Sequence, residues 1–151
     1  MPDSPSASAV PKRIIAGADH GGWKLKDALV NHLRSKGYTV EDAGTNSGDR
    51  VDYPDYAENV SRAVLAGEAD AGLLVCTTGI GMSMAANRHP GIQAALLHTE
   101  HDAEMTRRHN DANVMALPGE MDEASAKAVA EKFLATEFEG GRHAKRVEKL
   151  G

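Results

Sequence analysis

The sequence predicts an α/β fold, a three-layer α/β/α sandwich around a five-stranded parallel sheet. Three observations predict it. Apolar, β-branched runs alternate with helical patterns along nearly the whole chain, the order that a parallel sheet with crossover helices requires. The run Ala71-Gly72-Leu73-Leu74-Val75-Cys76 is apolar without alternation, as in a strand buried on both faces. Finally, several polar clusters fall directly after apolar runs, and open α/β sheets gather their ligands at the carboxyl ends of strands.

Taken in order, RIIAGAD (13–19) reads as the first strand and WKLKDALVNHLRSKG (23–37) as an amphipathic helix closed by Gly37. TVEDAG (39–44) is a short second strand. Tyr53-Pro54-Asp55 opens a helix that runs through Val64, with Pro54 suited to its first turn. AGLLVC (71–76) is the third strand and GMSMAANR (81–88) the helix after it. GIQAALL (91–97) reads as strand, AEMTRRHN (103–110) as helix, NVMALP (113–118) as strand and 122–138 as a long helix. The chain ends in GGRHAKRVEKLG, a basic segment with helical potential. Together these make a Rossmann-like single domain over 13–151. Residues 1–12, rich in Pro, Ser and Ala, read as a disordered tail.

Composition narrows the function classes. A net charge of −5 over 151 residues argues against nucleic acid or an anionic membrane as partner. No apolar run approaches the ~20 residues of a membrane span, and MPDSPSASAVPK lacks the basic and apolar regions of a secretion signal. The single cysteine excludes an internal disulfide and fits a reducing compartment, so the expected location is cytoplasmic.

Four polar groups are candidates for chemistry. Asp19-His20-Gly21-Gly22 ends the first strand, placing a carboxylate and an imidazole over the sheet; a simple capped turn explains the same residues. Cys76 ends the third strand at the threshold of a helix N-terminus, whose dipole favours a thiolate. Thr78 beside it offers a hydroxyl, and the backbone amides around Gly79 and Gly81 are helix-start donors suited to a developing oxyanion. The competing reading makes Cys76 a small buried hydrophobe and the glycines a close helix–sheet approach. A dinucleotide motif fits poorly, because Gly79-x-Gly81 lacks the third glycine at the required spacing. Arg107-Arg108-His109-Asn110-Asp111-Ala112-Asn113 ends a helix; capping explains the arginines and one Asn but gives His109 no task. On the terminal segment Arg142, Lys145, Arg146 and Lys149 share one helix face, repelling by a few tenths of a kcal/mol per pair, and two arginines four apart can chelate a phosphate; a solvated basic tail is the plain alternative.

These clusters, in order, resemble the type B ribose-5-phosphate isomerase family, which includes the galactose-6-phosphate isomerase subunits. The residues that carry the resemblance run from about Arg13 to Leu150: Ala18-Asp19-His20-x-Gly22, Asp52-Tyr53-Pro54-x-Tyr56-Ala57, Cys76-x-Thr78-Gly79-Ile80-Gly81-Met82-Ser83, Ala85-Ala86-Asn87, His109-Asn110-Asp111-x-Asn113-Val114 and Gly140-Gly141-Arg142-His143-x-x-Arg146. The resemblance implies an aldose–ketose isomerase acting on a phosphorylated sugar, foremost ribose 5-phosphate, without metal or organic cofactor. By the same resemblance Cys76 is the base that moves a proton between C1 and C2, and Thr78 assists proton movement between the oxygens. The amides near Gly79 and Gly81, with Asn110, steady the enediolate, and Ser83 belongs to the same binding loop. His109 opens the furanose ring with Asp19 near the sugar, His20, Arg142 and Arg146 hold the phosphate, and Tyr53 lines the pocket. The resemblance further implies a homodimer, or a dimer of dimers, with the C-terminal helix packed on the partner subunit and His109 and Asn110 serving the neighbour's Cys76.

Two positions depart from the family pattern. Thr77 stands where the family usually has glycine, and a left-handed backbone there would strain a β-branched residue by ~1–2 kcal/mol. Pro118-Gly119-Glu120 stands where many members have Gly-x-Arg, exchanging a cation for a carboxylate. Other sugar phosphates of four to six carbons, a free sugar, and a non-catalytic sugar-phosphate-binding module therefore stay open as alternatives.

Overall fold

The computed structural model describes residues 11–151. The expected tail lies outside the described residues except for its last two. Pro11 is buried, and the Lys12 N–H donates to the Asp70 carboxylate at 3.1 Å, so the folded body begins two residues earlier than expected.

Five parallel strands form one sheet: β1 (Arg13–Ala18), β2 (Thr39–Asp42), β3 (Ala71–Cys76), β4 (Ala94–Leu96) and β5 (Val114–Pro118), in spatial order β2-β1-β3-β5-β4. Between them run α1 (Trp23–Ser35), α2 (Tyr53–Leu65), the short α3 (Ile80–Ala86) and α4 (Glu100–Met105), which widens into a π turn over Thr106–Asn110. Helices α5 (Glu123–Ala135) and α6 (Arg142–Leu150) follow β5. Buried residues of α1, α4 and α5 pack one face of the sheet, with Leu29, Leu33, Val129 and Phe133 at its centre. Val60, Met82 and Ala86 from α2 and α3 pack the other. These two apolar layers are the predicted sandwich. Among the described residues no helix is long and apolar enough to cross a membrane.

The connection from β1 turns one way to β2, and the chain then crosses back to β3 on the other side of β1. This reversal sets a crevice above the carboxyl ends of β1 and β3, where the two connections leave in opposite directions along the sheet. Asp19-His20 and Cys76-Thr77-Thr78 therefore arrive side by side.

Three elements differ from the sequence reading by three residues at one end. The fourth strand spans 94–96 rather than 91–97, because the backbone before it is pinned by side chains. Gln93 N–H donates to Asn113 Oδ1 at 2.8 Å, Asn113 Nδ2 donates to Gly91 O at 3.0 Å, and Asn87 brackets Ala94 with bonds of 2.7 and 2.9 Å. Helix α4 starts three residues earlier, since the Thr99 hydroxyl caps it by accepting from the Asp102 N–H. Helix α5 stops at Ala135, and the Thr136 that follows is extended.

Candidate active site

Cys76 closes β3, 5% exposed, opposite Pro118 of β5. The chain leaves the sheet through Thr77 and Thr78, both exposed, and Gly79 turns it into α3 with φ 79°. Only glycine enters that left-handed turn freely. A side chain there would also meet Leu96 at 2.6 Å and the Leu117 backbone at 3.0 Å. The Ile80 N–H donates to Thr78 Oγ1 at 3.2 Å, and the Ser83 N–H makes the first helical bond to Gly79 O at 3.1 Å. Among the described residues the Gly79 and Gly81 amides are left without an acceptor, as a helix start dictates. Ser83 points elsewhere: its hydroxyl donates to Ile80 O at 2.8 Å, so the side chain serves the helix.

Thr77 has no left-handed backbone; among the described non-glycine residues Asp111 alone has positive φ. The strain that a left-handed backbone would have brought is therefore absent. The residue instead fills the space above Gly21, where an added Cβ would lie 2.1 Å from Thr77 Oγ1. Gly21 and Gly22 are pressed against the end of β3, and Gly119 closes over them, its N–H donating to Cys76 O at 2.7 Å. Asp19, buried, accepts from the Gly21 N–H at 2.8 Å. His20 Nδ1 accepts the Val51 N–H at 3.2 Å, which leaves the ring proton on Nε2 as an outward donor. Tyr53, at the start of α2, lays its ring on Gly81, where a Cβ would meet it at 2.8 Å. Asp19, His20, Tyr53, Cys76, Thr78, Gly79, Gly81 and Ser83 thus gather at one end of the sheet. Glu120 lies there too, exposed, on an open cavity of about 540 Å³ that it shares with Thr78, Ile80, His98 and Asp122.

The remaining candidates gather at the other end. The π turn leads into the amino end of β5, where Gly72 pairs with Val114, whereas Cys76 pairs with Pro118. The four residue steps between these pairs span ~13 Å along the strand. His109, half-buried, stacks on His143 of α6 with ring centroids 4.3 Å apart and planes inclined by 17°. Asn110 accepts from Thr106 Oγ1 at 3.0 Å, and His109, Asn110, His143 and Arg146 line a cavity of about 320 Å³ with Val147 and Leu150. Arg142 and Arg146 are exposed on α6. Within one chain, then, His109, Asn110, Arg142 and Arg146 are not brought to Cys76.

Sequence reasoning missed several charged groups. Arg107 is not a solvated cap: 3% exposed, it donates to Ala112 O, Asp111 and Thr136 O and lies over the Phe133 ring. The left-handed cap is Asp111, φ 51°, not an asparagine. Burial raises the Asp111 carboxyl above the ordinary range, opposed by Arg107. Glu139 Oε2 accepts from Arg108 Nε at 2.5 Å, while its Oε1 lies 3.5 Å from His143 Nε2. The Arg108 hydrogen bond holds Glu139 below the usual carboxylate range. Burial first, then Arg142 and His109, hold His143 below the usual histidine range. The spacing of Glu139 and His143, four apart across a double glycine, was the available signal. Ligand atoms of His109, Glu139 and His143 lie within 4.8 Å of one another, but parallel imidazoles aim their lone pairs side by side rather than at one tetrahedral ion.

Known proteins share this architecture. The family model described as Ribose/Galactose Isomerase matches residues 14–150. Ribose-5-phosphate isomerase B of Escherichia coli is 44% identical over 92% of this chain and 94% of its own. The crystal structure of a ribose 5-phosphate isomerase from Thermotoga maritima superposes with a TM-score of 0.90 at 46% identity, covering 91% of this chain and 96% of that one. A ribose-5-phosphate isomerase B from Mycoplasma genitalium, solved with bound ribulose-5-phosphate, gives 0.86 at 38% identity over 91% and 93% of the two chains.

Proposed function

This chain belongs to the ribose/galactose isomerase family, and from that premise we propose that it interconverts ribose 5-phosphate and ribulose 5-phosphate at a site completed by a second copy of itself. The observation that carries the reading is Cys76 at the mouth of the β1/β3 crevice, beside the Thr78 hydroxyl and the open amides of Gly79 and Gly81.

The C–H beside a carbonyl is a weak acid, so its removal needs a positioned base and donors ready for the charge that develops. The Cys76 thiolate takes the proton from C2; the C–H electrons form the C1=C2 bond and the carbonyl electrons move to O1. The Gly79 and Gly81 amides, with the Asn110 side chain of the second copy, steady this cis-enediolate. Thr78 carries the hydroxyl proton from O2 towards O1, and the thiol returns its proton to C1, leaving the ketose. Before this step the ring opens: His109 of the second copy protonates the ring oxygen as its bond to C1 breaks, and the anomeric hydroxyl gives its proton to Asp19, leaving the C1 aldehyde. His20 Nε2–H and the second copy's Arg142 and Arg146 hold the phosphate, whose binding orients the reacting carbons. Ser83 supports this loop by tying Ile80, and Tyr53 walls the pocket over Gly81.

A homodimer is supported by the division of candidates between opposite sheet ends. Ile80 and Met84, four apart on α3, are 47% and 65% exposed beside the Cys76 half, a face suited to burial by the partner and its C-terminal helix. The buried lone thiol fits the cytoplasm. Glu120 repels a phosphate brought to the Thr78 cavity, which keeps the phosphate on the His20 side. The test is turnover of ribose 5-phosphate by purified protein, with free ribose and Cys76→Ala alongside. Phosphate-dependent turnover lost in the variant is expected. Full activity in Cys76→Ala, or turnover of free ribose alone, would overturn the proposal.

A further inference from the structure

We infer that His143 is a positioning residue for His109, its buried ring holding the neighbouring imidazole in the orientation that meets the sugar. The inference rests on the reading of His109 as the ring-opening group. Helix α6 is exposed along most of its length, yet His143 is 5% exposed and is its buried residue. The two rings stack at 4.3 Å and 17°. Among the described residues His109 makes no side-chain hydrogen bond, so its ring has two free torsions and the stack is the contact that restricts them.

His143 is itself fixed from behind. Its Nε2 is buried without a hydrogen-bond partner, 3.5 Å from Glu139 Oε1. Glu139 is tied twice to Arg108, the residue before His109, by the 2.5 Å side-chain bond and by its own N–H to Arg108 O at 3.1 Å. The segment entering α6 is therefore clamped to the same π turn that carries His109, and the two imidazoles are held in register. His109 sits in a π turn, which displaces its residues from ordinary helical positions. The surface that faces it comes from α6.

If His143 merely anchored α6, its loss would disturb Arg142 and Arg146 and would appear as weaker phosphate binding. A platform for His109 appears in turnover instead. The test compares His143→Ala with His143→Phe, whose flat ring stacks but carries no proton, in the full-length protein. Three-bond couplings of the His109 side chain report its rotamer, and steady-state kinetics on ribose 5-phosphate separate kcat from KM. The alanine variant is expected to average His109 over rotamers and to lose about ten- to a hundredfold in kcat, with KM little changed. The phenylalanine variant is expected to keep one rotamer and most of kcat. A single His109 rotamer persisting in His143→Ala, a rise in KM with kcat intact, or a phenylalanine variant as poor as alanine would each overturn the inference. Absence of turnover in the unmodified protein would refute the isomerase reading, while the couplings would still decide whether His143 positions His109.

Discussion

Mixing two inactive variants provides a demanding check on a site shared between chains. Cys76 and His109 sit at opposite ends of the sheet, separated along β5 by ~13 Å, against the ~3 Å over which a proton is handed to a bound sugar. Cys76→Ala removes the proposed base and His109→Ala the proposed ring-opening acid, so each homodimer is expected to be nearly silent. In a mixed dimer one site combines both lesions, and the other combines two intact residues. Random coexpression makes about half the dimers mixed, each with one working site, so activity should recover to about a quarter of the unmodified level. The assay is ribulose 5-phosphate formation by the coexpressed pair, corrected for the two parents purified alone. Recovery no greater than the sum of the parents would refute the shared site. A parent active on its own would remove its residue from the machinery.

Other consequences are more local. Gly21→Ala brings a Cβ to 2.1 Å from Thr77 Oγ1 and should destabilise by about 1–3 kcal/mol and raise KM through His20; Thr77→Gly in the same chain should relieve most of this in a double-mutant cycle read by denaturant unfolding. Lys26 is fully buried, its Nζ within 2.6–2.8 Å of Asn46, Asp42 and Asp27. Lys26→Met strands those carboxylates and should lower stability by about 3 kcal/mol, the low end for a broken buried pair because both carboxylates still touch water; calorimetry checks it. Because burial, Arg142 and His109 hold the folded His143 low, the unfolded chain takes up the proton first. This contribution is fully present above the unfolded pKa of ~6.5 and is lost as pH falls from there toward the folded value. Protection factors of the α6 amides, intrinsic exchange rates divided by those observed at each pH, should therefore fall as pH drops below ~6.5, and His143→Phe should flatten the trend.

Much of this molecule is legible from its sequence because two periodicities suffice. The buried strands β1, β3 and β5 announce themselves as unbroken apolar runs, and α1 and α2 as amphipathic stripes with clear starts. What fails is where side chains, rather than propensity, set the backbone. Strand β4 is an edge whose entry is fixed by Asn87 and Asn113, two residues whose polar ends give no sign of their distant backbone partners. The start of α4 was readable, since Thr99-Glu100-His101-Asp102 has the spacing of a capped helix. The π turn was not, because it rests on Arg107 reaching Thr136 O, 29 positions away. At the candidate site the pattern located Cys76, Thr78 and the two glycines but did not decide between an ordinary and a left-handed backbone at Thr77. Its side chain is accommodated because Gly21, from another strand's loop, has no Cβ, a fact of three dimensions.

The same geometry relates the fold to the need for a partner. A parallel sheet offers a ligand crevice at its carboxyl edge, and all that α3 and the β1 loop supply converges there. Among the described residues the groups carried by the π turn and α6 line a cavity of their own, at the amino edge and away from Cys76 and Thr78. In the proposed dimer a two-fold axis resolves this, since a contact that brings one chain's amino-edge groups to the partner's crevice does the same in reverse. On that proposal two complete sites arise from one interface, and each would lose its ring-opening and phosphate-binding groups when the dimer parts. Dissociation on dilution should therefore abolish turnover without unfolding either chain's core, because the apolar layers on both sheet faces are complete within one copy.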